Sequence, residues 1–288
     1  MVRDAAITSP GRSVAVAGAL IAALMLAGCT AAPSTPELAP TPAATPPPTS
    51  TPTQTYESLP QPTDAPRNPA VVCTDDRLIG TSTWTQADGA WFETGVIGEG
   101  STVAVFVPQS GENYCGFGEF ARVLAGLGIQ SVLINLCGIG ETTCGPEDHV
   151  VTSGANAVLA AAEQARADGA TRVVAVGASM GGTTVIVASA QSGQDGPLDG
   201  VADLSGPLEF RGVDTLALAS GIAVPMLLAA SNDDSVVSPE QLDQLGEASG
   251  GDFELLGGTG HGWAMLFART ATRTLTDTGQ SLVDFVMG

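Results

Sequence analysis

Lysine is missing altogether from the 288 residues, and the 10 basic residues, all arginine, face 30 Asp and Glu. A formal net charge of −20 gives the chain no electrostatic footing on nucleic acid or on anionic headgroups, where affinity grows with Lys and Arg contacts. Histidine is almost absent: only His149 and His261 occur. The 5 cysteines include no paired C-x-x-C spacing, so a metal centre or a thiol nucleophile is poorly supported and no cofactor is expected. Charged residues make up only 14% of the chain and hydrophobic ones 44%, enough apolar material for one large domain of about 200 residues. No internal repeat is evident.

Two leading segments stand apart from that domain. Residues 1–28 read as a signal peptide: Arg3 and Arg12 supply a basic start, and Ser13 to Ala27 is apolar but short for a membrane span. The stretch ends Leu26-Ala27-Gly28-Cys29, which resembles the bacterial lipobox. That resemblance implies cleavage before Cys29, lipidation of its thiol, and a domain anchored on the extracytoplasmic face of the cell membrane. An ordinary secretory signal with an incidental Cys29 is the alternative. Residues 29–70 are rich in Pro, Thr, Ala and Ser with few large apolar side chains. Such a composition cannot offset chain entropy by burial and is expected to form a disordered tether. A Pro-rich ligand for another protein is the rival, but the stretch lacks a basic or aromatic anchor.

From 71 to 288 strand-like and helix-like runs alternate. Leu78 to Thr85 and Ala90 to Val96 flank the turn signal Gln86-Ala87-Asp88-Gly89. Val103 to Val107 is an unbroken apolar run suited to a strand buried on both faces. A helix near Phe117 to Gly126, a strand from Gln130 to Leu136 and a helix from Ser153 to Asp168 follow. Further strands are expected at Arg172 to Val176, Gly200 to Leu204, Val224 to Ala230 and Phe253 to Leu256. Helices are expected at Thr183 to Ala190, Ser238 to Ala248 (capped by Ser238, with Pro239 at its first position) and Thr274 to Met287. This alternation predicts a mostly parallel sheet with helices on both faces and an antiparallel leading hairpin.

One stretch organises the rest. The strand ending at Val176 runs into Gly177-Ala178-Ser179-Met180-Gly181 and then directly into a helix. A serine at the apex of such a turn, with glycines letting strand and helix approach, is the context in which G-x-S-x-G forms a nucleophile elbow. In strand, motif and helix, residues 75–288 resemble the α/β-hydrolase superfamily, in a compact, dienelactone-hydrolase-like form. The connection from Ser205 to Val224 is too short for a large lid domain, which favours small or exposed esters.

The resemblance implies a chain order of serine, acid, histidine. The acid's place is occupied by Asp233-Asp234 and the base's by His261 in a Gly-rich loop. Asp234, ahead of the apolar turn Ser235-Val236-Val237, is favoured, with Asp233 the runner-up. The oxyanion donors implied are the N–H of Met180 and that of Ser110, with Gln109 second, although Pro108-Gln109-Ser110 replaces the His-Gly of many relatives. Trp263 either walls an acyl pocket or packs in the core. His149 reads as a solvated helix-end residue, with a place on the pocket rim as the alternative. The implied activity is hydrolysis of a small-molecule carboxylic ester or acyl compound through Ser179, His261 and Asp234 and an acyl-enzyme. A non-catalytic binding lipoprotein of the same fold is the alternative. Besides Cys29, four cysteines allow three pairings; a bridge from Cys115 to Cys137 or Cys144 would pin the loops bordering the site.

Overall fold

The computed structural model describes residues 59–144, 149–268 and 273–288. The expected signal peptide, Cys29 and the first part of the expected tether lie outside the described residues.

Continuous burial along the central strands decides the architecture. The strands of the main sheet are β1 (Gly80–Ala87), β2 (Ala90–Ile97), β3 (Thr102–Val107), β4 (Gln130–Ile134), β5 (Arg172–Ala178), β6 (Gly200–Leu204), β9 (Met226–Ala229) and β10 (Phe253–Leu256). They line up as β1-β2-β4-β3-β5-β6-β9-β10. β1 and β2 form an antiparallel hairpin and β2 pairs antiparallel with β4; every later pairing is parallel. On β3, Val103, Val105 and Val107 face one core cluster and Ala104 and Phe106 the other. That explains the unbroken apolar run, since a central parallel strand has no wet face.

Helices α3 (Val150–Ala167), α4 (Met180–Ser192) and α6 (Pro239–Ser249) bury apolar residues in the first cluster, and α2 (Gly118–Gly126) and α7 (Asp277–Met287) in the second. Ser238 and Gln241 form a reciprocal capping box that starts α6 at Pro239, satisfying backbone N–H groups that the first turn leaves open. Between β6 and β9 the chain makes only a small hairpin, β7 (Glu209–Phe210) with β8 (Val213–Asp214), a single-turn helix α5 (Thr215–Leu218) and a tight turn at Ala219–Gly221. These pieces have no period long enough to read from the sequence, and they do not amount to a lid domain.

Residues 59–70, assigned to the tether by composition, are held against the hairpin. The indole N–H groups of Trp84 and Trp91 donate to the carbonyls of Asp64 and Leu59, each at 3.0 Å. Arg67 lies 3.1 Å from Glu141 and 4.0 Å from the fully buried Glu93. Tryptophan N–H groups need partners, and this segment supplies them; the Glu93 carboxylate takes its hydrogen bonds from the Asn135 amide and the Glu141 N–H. A short helix, α1 (Pro69–Val72), then leads to Cys73.

Of the three pairings left open, the structure has Cys73 bonded to Cys115 and Cys137 to Cys144, not the bridge from Cys115 to Cys137 or Cys144 considered above. β3 and β4 are neighbours, but the turn at Tyr114–Phe117 directs Cys115 toward the end of α1, and Cys137 closes its own loop.

Candidate active site

The elbow is built by backbone. Ser179 takes φ 52° and ψ −120°, a conformation that strains any residue with a Cβ by about 1–3 kcal/mol. It is enforced by backbone contact on both sides. A Cβ on Gly177 would lie 2.0 Å from the Gly181 carbonyl oxygen, and one on Gly181 2.2 Å from that of Val107. The Ser179 N–H donates to the Leu204 carbonyl at 2.9 Å, tying the apex to the end of β6. Met180 is the first residue of α4, so its N–H has no intrahelical acceptor and sits at the positive end of the helix dipole.

The second half is built by side chains. His261 Nδ1 and Asp234 Oδ2 are 2.7 Å apart, with the Asp234 side chain fully shielded and that of His261 29% exposed. The other Asp234 oxygen accepts the Val236 N–H at 2.8 Å and the Val237 N–H at 3.3 Å. The turn after the acid is therefore a pair of backbone donors. Burial raises the Asp234 pKa, but hydrogen bonds from His261, from the Val236 N–H and from the Ser205 side chain outweigh it, and the carboxyl stays below its usual range.

The adjacent Asp233 bonds elsewhere, to the Ser231 hydroxyl and, at 2.9 Å, to the Gly260 N–H. It braces the loop that precedes His261. The two halves meet at Gly262, where a Cβ would lie 3.2 Å from the Ala178 methyl group. His261 and Ser179 thus each flank one end of a single contact.

The loop leaving β3 lies on the elbow: the Val107 and Pro108 carbonyls both abut Gly181. Gln109 is half-buried, with Oε1 shielded, without a hydrogen-bond partner among the described residues, and facing Gly262; Ser110 is exposed. Trp263 packs edge-on against Phe117 with ring centroids 5.5 Å apart. It also lines a cleft of about 590 Å³ with Cys115, Gly116, Phe267, Glu119 and Arg273. His149 is the exposed N-cap of α3 and engages Ser153 through its carbonyl, as a helix-end residue does. Among the described residues no cluster of three or more His, Cys, Asp or Glu is arranged to hold a metal.

Two residues escaped the sequence reading. Asp203, on β6, is buried with its carboxylate at 2.6 Å from the Gly206 N–H; burial pushes its pKa up to about 7 against the pull of that hydrogen bond. An acid inside the apolar run Gly-Val-Ala-Asp-Leu was a visible signal. Ser205 gave none, because Ser-Gly-Pro after a strand reads as an ordinary turn.

No protein-family model and no curated protein matches the sequence. Solved structures do. An esterase from Pyrococcus furiosus superposes with a TM-score of 0.59 at 12% identity, covering 81% of this chain and 97% of that one. The fold is that of the α/β-hydrolases. A candidate dienelactone hydrolase from Klebsiella pneumoniae matches this α/β-hydrolase sheet with a TM-score of 0.58 at 14% identity over 73% of this chain and 98% of that one. The thioesterase domain from the curacin biosynthetic pathway gives 0.55 at 12% identity over 73% and 100%.

Proposed function

We propose that the chain is a serine hydrolase acting on carboxylic esters or related acyl compounds. The observation that carries this reading is a strained serine at a strand-to-helix apex, a histidine whose Nδ1 is 2.7 Å from a shielded carboxylate, and the approach of Gly262 to Ala178 that brings their two loops together. In the proposed reaction the Ser179 hydroxyl attacks the substrate carbonyl while His261 Nε2 takes its proton. The Met180 N–H, with that of Ser110 or Gln109, receives the developing oxyanion. His261 then protonates the leaving alcohol, water enters, and the acyl-enzyme is hydrolysed by the same base. Asp234 keeps the Nδ1 proton in place and stabilises the imidazolium.

The esterases and thioesterase that share the fold support this chemistry, and the open connection between β6 and β9 favours small or exposed acyl groups. We further propose that Cys29 carries a lipid anchor and that the domain works outside the cytoplasm. Covalent labelling by a fluorophosphonate probe tests the function: wild type should label and Ser179→Ala should not. No labelling, or labelling unchanged in Ser179→Ala, leaves the non-catalytic reading. That reading gives the strained serine and the shielded Asp–His pair no use.

A further inference from the structure

We propose that Ser205 is a positioning residue that holds the His261 loop at the end of β6, next to the strand from which the Asp234 loop departs; this rests on the function proposed above. Ser205 is the first residue after β6, fully buried, at φ +61°. Its N–H donates to the Ala229 carbonyl at 2.8 Å, fixing its backbone to the end of β9, from which the Asp234 loop departs. Its hydroxyl oxygen accepts the Gly262 N–H at 3.4 Å, and the same side chain is among the groups that hold the Asp234 carboxyl below its usual range. The hydroxyl therefore ties the residue following His261 to the end of β6.

The neighbouring contacts make this end of β6 a common anchor. The preceding residue, Leu204, holds the Ser179 N–H. Asp203 receives the Gly206 N–H, bracing the turn that sets the Ser205 backbone. A residue with a Cβ at positive φ costs stability that glycine would spare, so serine here points to a use for its hydroxyl. Removing it frees Gly262 from its acceptor. Asp234 and His261 would still touch, but with the His261 loop free to take a broader range of geometries.

The test compares Ser205→Ala with Ser205→Gly, which lose the hydroxyl equally while only glycine relieves the backbone. Two measurements are made: kcat and KM for p-nitrophenyl acetate, and the downfield proton resonance of the His261 Nδ1–H shared with Asp234, identified by its loss in His261→Gln. Both variants should lose about ten- to a hundredfold in kcat with KM within about twofold, and in both the downfield proton should broaden or move upfield. Wild-type kcat and an unmoved resonance in both variants would overturn the proposal. So would a glycine variant restored to wild type on both counts, because backbone strain alone would then be the issue. The resonance can be read without turnover. A wild-type protein that neither labels nor turns over, yet loses the resonance in Ser205→Ala, refutes the hydrolase reading and upholds the role of Ser205.

Discussion

The two halves of the candidate site are held in place by different physics. The Ser179 half is backbone against backbone: Gly177, Gly181 and Val107 in contact, with no side chain setting the apex. The His261 half is a web of side-chain hydrogen bonds from Asp233, Asp234 and Ser205 to loops that share no ladder with the sheet. Backbone contact is insensitive to pH and intolerant of a single added methyl group. A side-chain web tolerates changes in volume, yet depends on the protonation state and identity of each member. An elbow of this kind fails by unfolding, the web by losing alignment.

The largest effect expected from that contrast lies in the web. Asp234→Asn should lower kcat/KM for p-nitrophenyl acetate by about 10³- to 10⁴-fold by allowing the wrong imidazole tautomer, with melting temperature little changed. Asp233→Asn should cost under about tenfold. Equal losses in the two variants would mean that the neighbouring carboxylates share the role.

The elbow should respond in the opposite currency. Gly181→Ala puts a methyl group where the Val107 carbonyl oxygen is 2.2 Å away, and urea denaturation should show a loss of about 4 kcal/mol or more. A variant as stable as wild type would mean that strand and helix separate at little cost.

The smallest effect concerns Asp203, under the junction of both halves. Its pKa is raised to about 7 when folded and is about 3.9 when unfolded. Between those values the folded state holds a proton that the unfolded chain has released, so stability should fall as pH rises from about 4 to about 7 and level off above. Asp203→Asn keeps an acceptor for the Gly206 N–H and should remove that slope, roughly 2 to 4 kcal/mol across the window. Denaturation midpoints of both proteins at several pH values check it; parallel pH dependences would acquit Asp203.

Much of this arrangement was legible in the sequence. A strand buried on both faces betrays itself as an unbroken apolar run, as β3 does, and β6 and β10 have the bounds expected of them. The resemblance placed Asp234 above Asp233 by the turn that follows it, and in the structure Asp234 lies 2.7 Å from His261 with two N–H groups aimed at its other carboxylate oxygen. Helix starts were less legible. α4 begins at Met180 rather than Thr183, because glycines with poor helix propensity occupy a first turn held by packing. Cysteine pairing was hidden for another reason: it depends on where a tight turn points Cys115, which no spacing rule encodes. Ser205 was hidden because its role exists only once three loops distant in sequence converge.

The Cys73–Cys115 bond has a mechanical consequence. Tension applied between the two ends of a cross-linked chain passes through the covalent bridge and not through the residues it encloses. Here the enclosed stretch contains β1, β2 and β3. A pull that reaches Cys73 is therefore carried across to the turn at Tyr114–Phe117, and the backbone of β1, β2 and β3 lies outside that covalent load path.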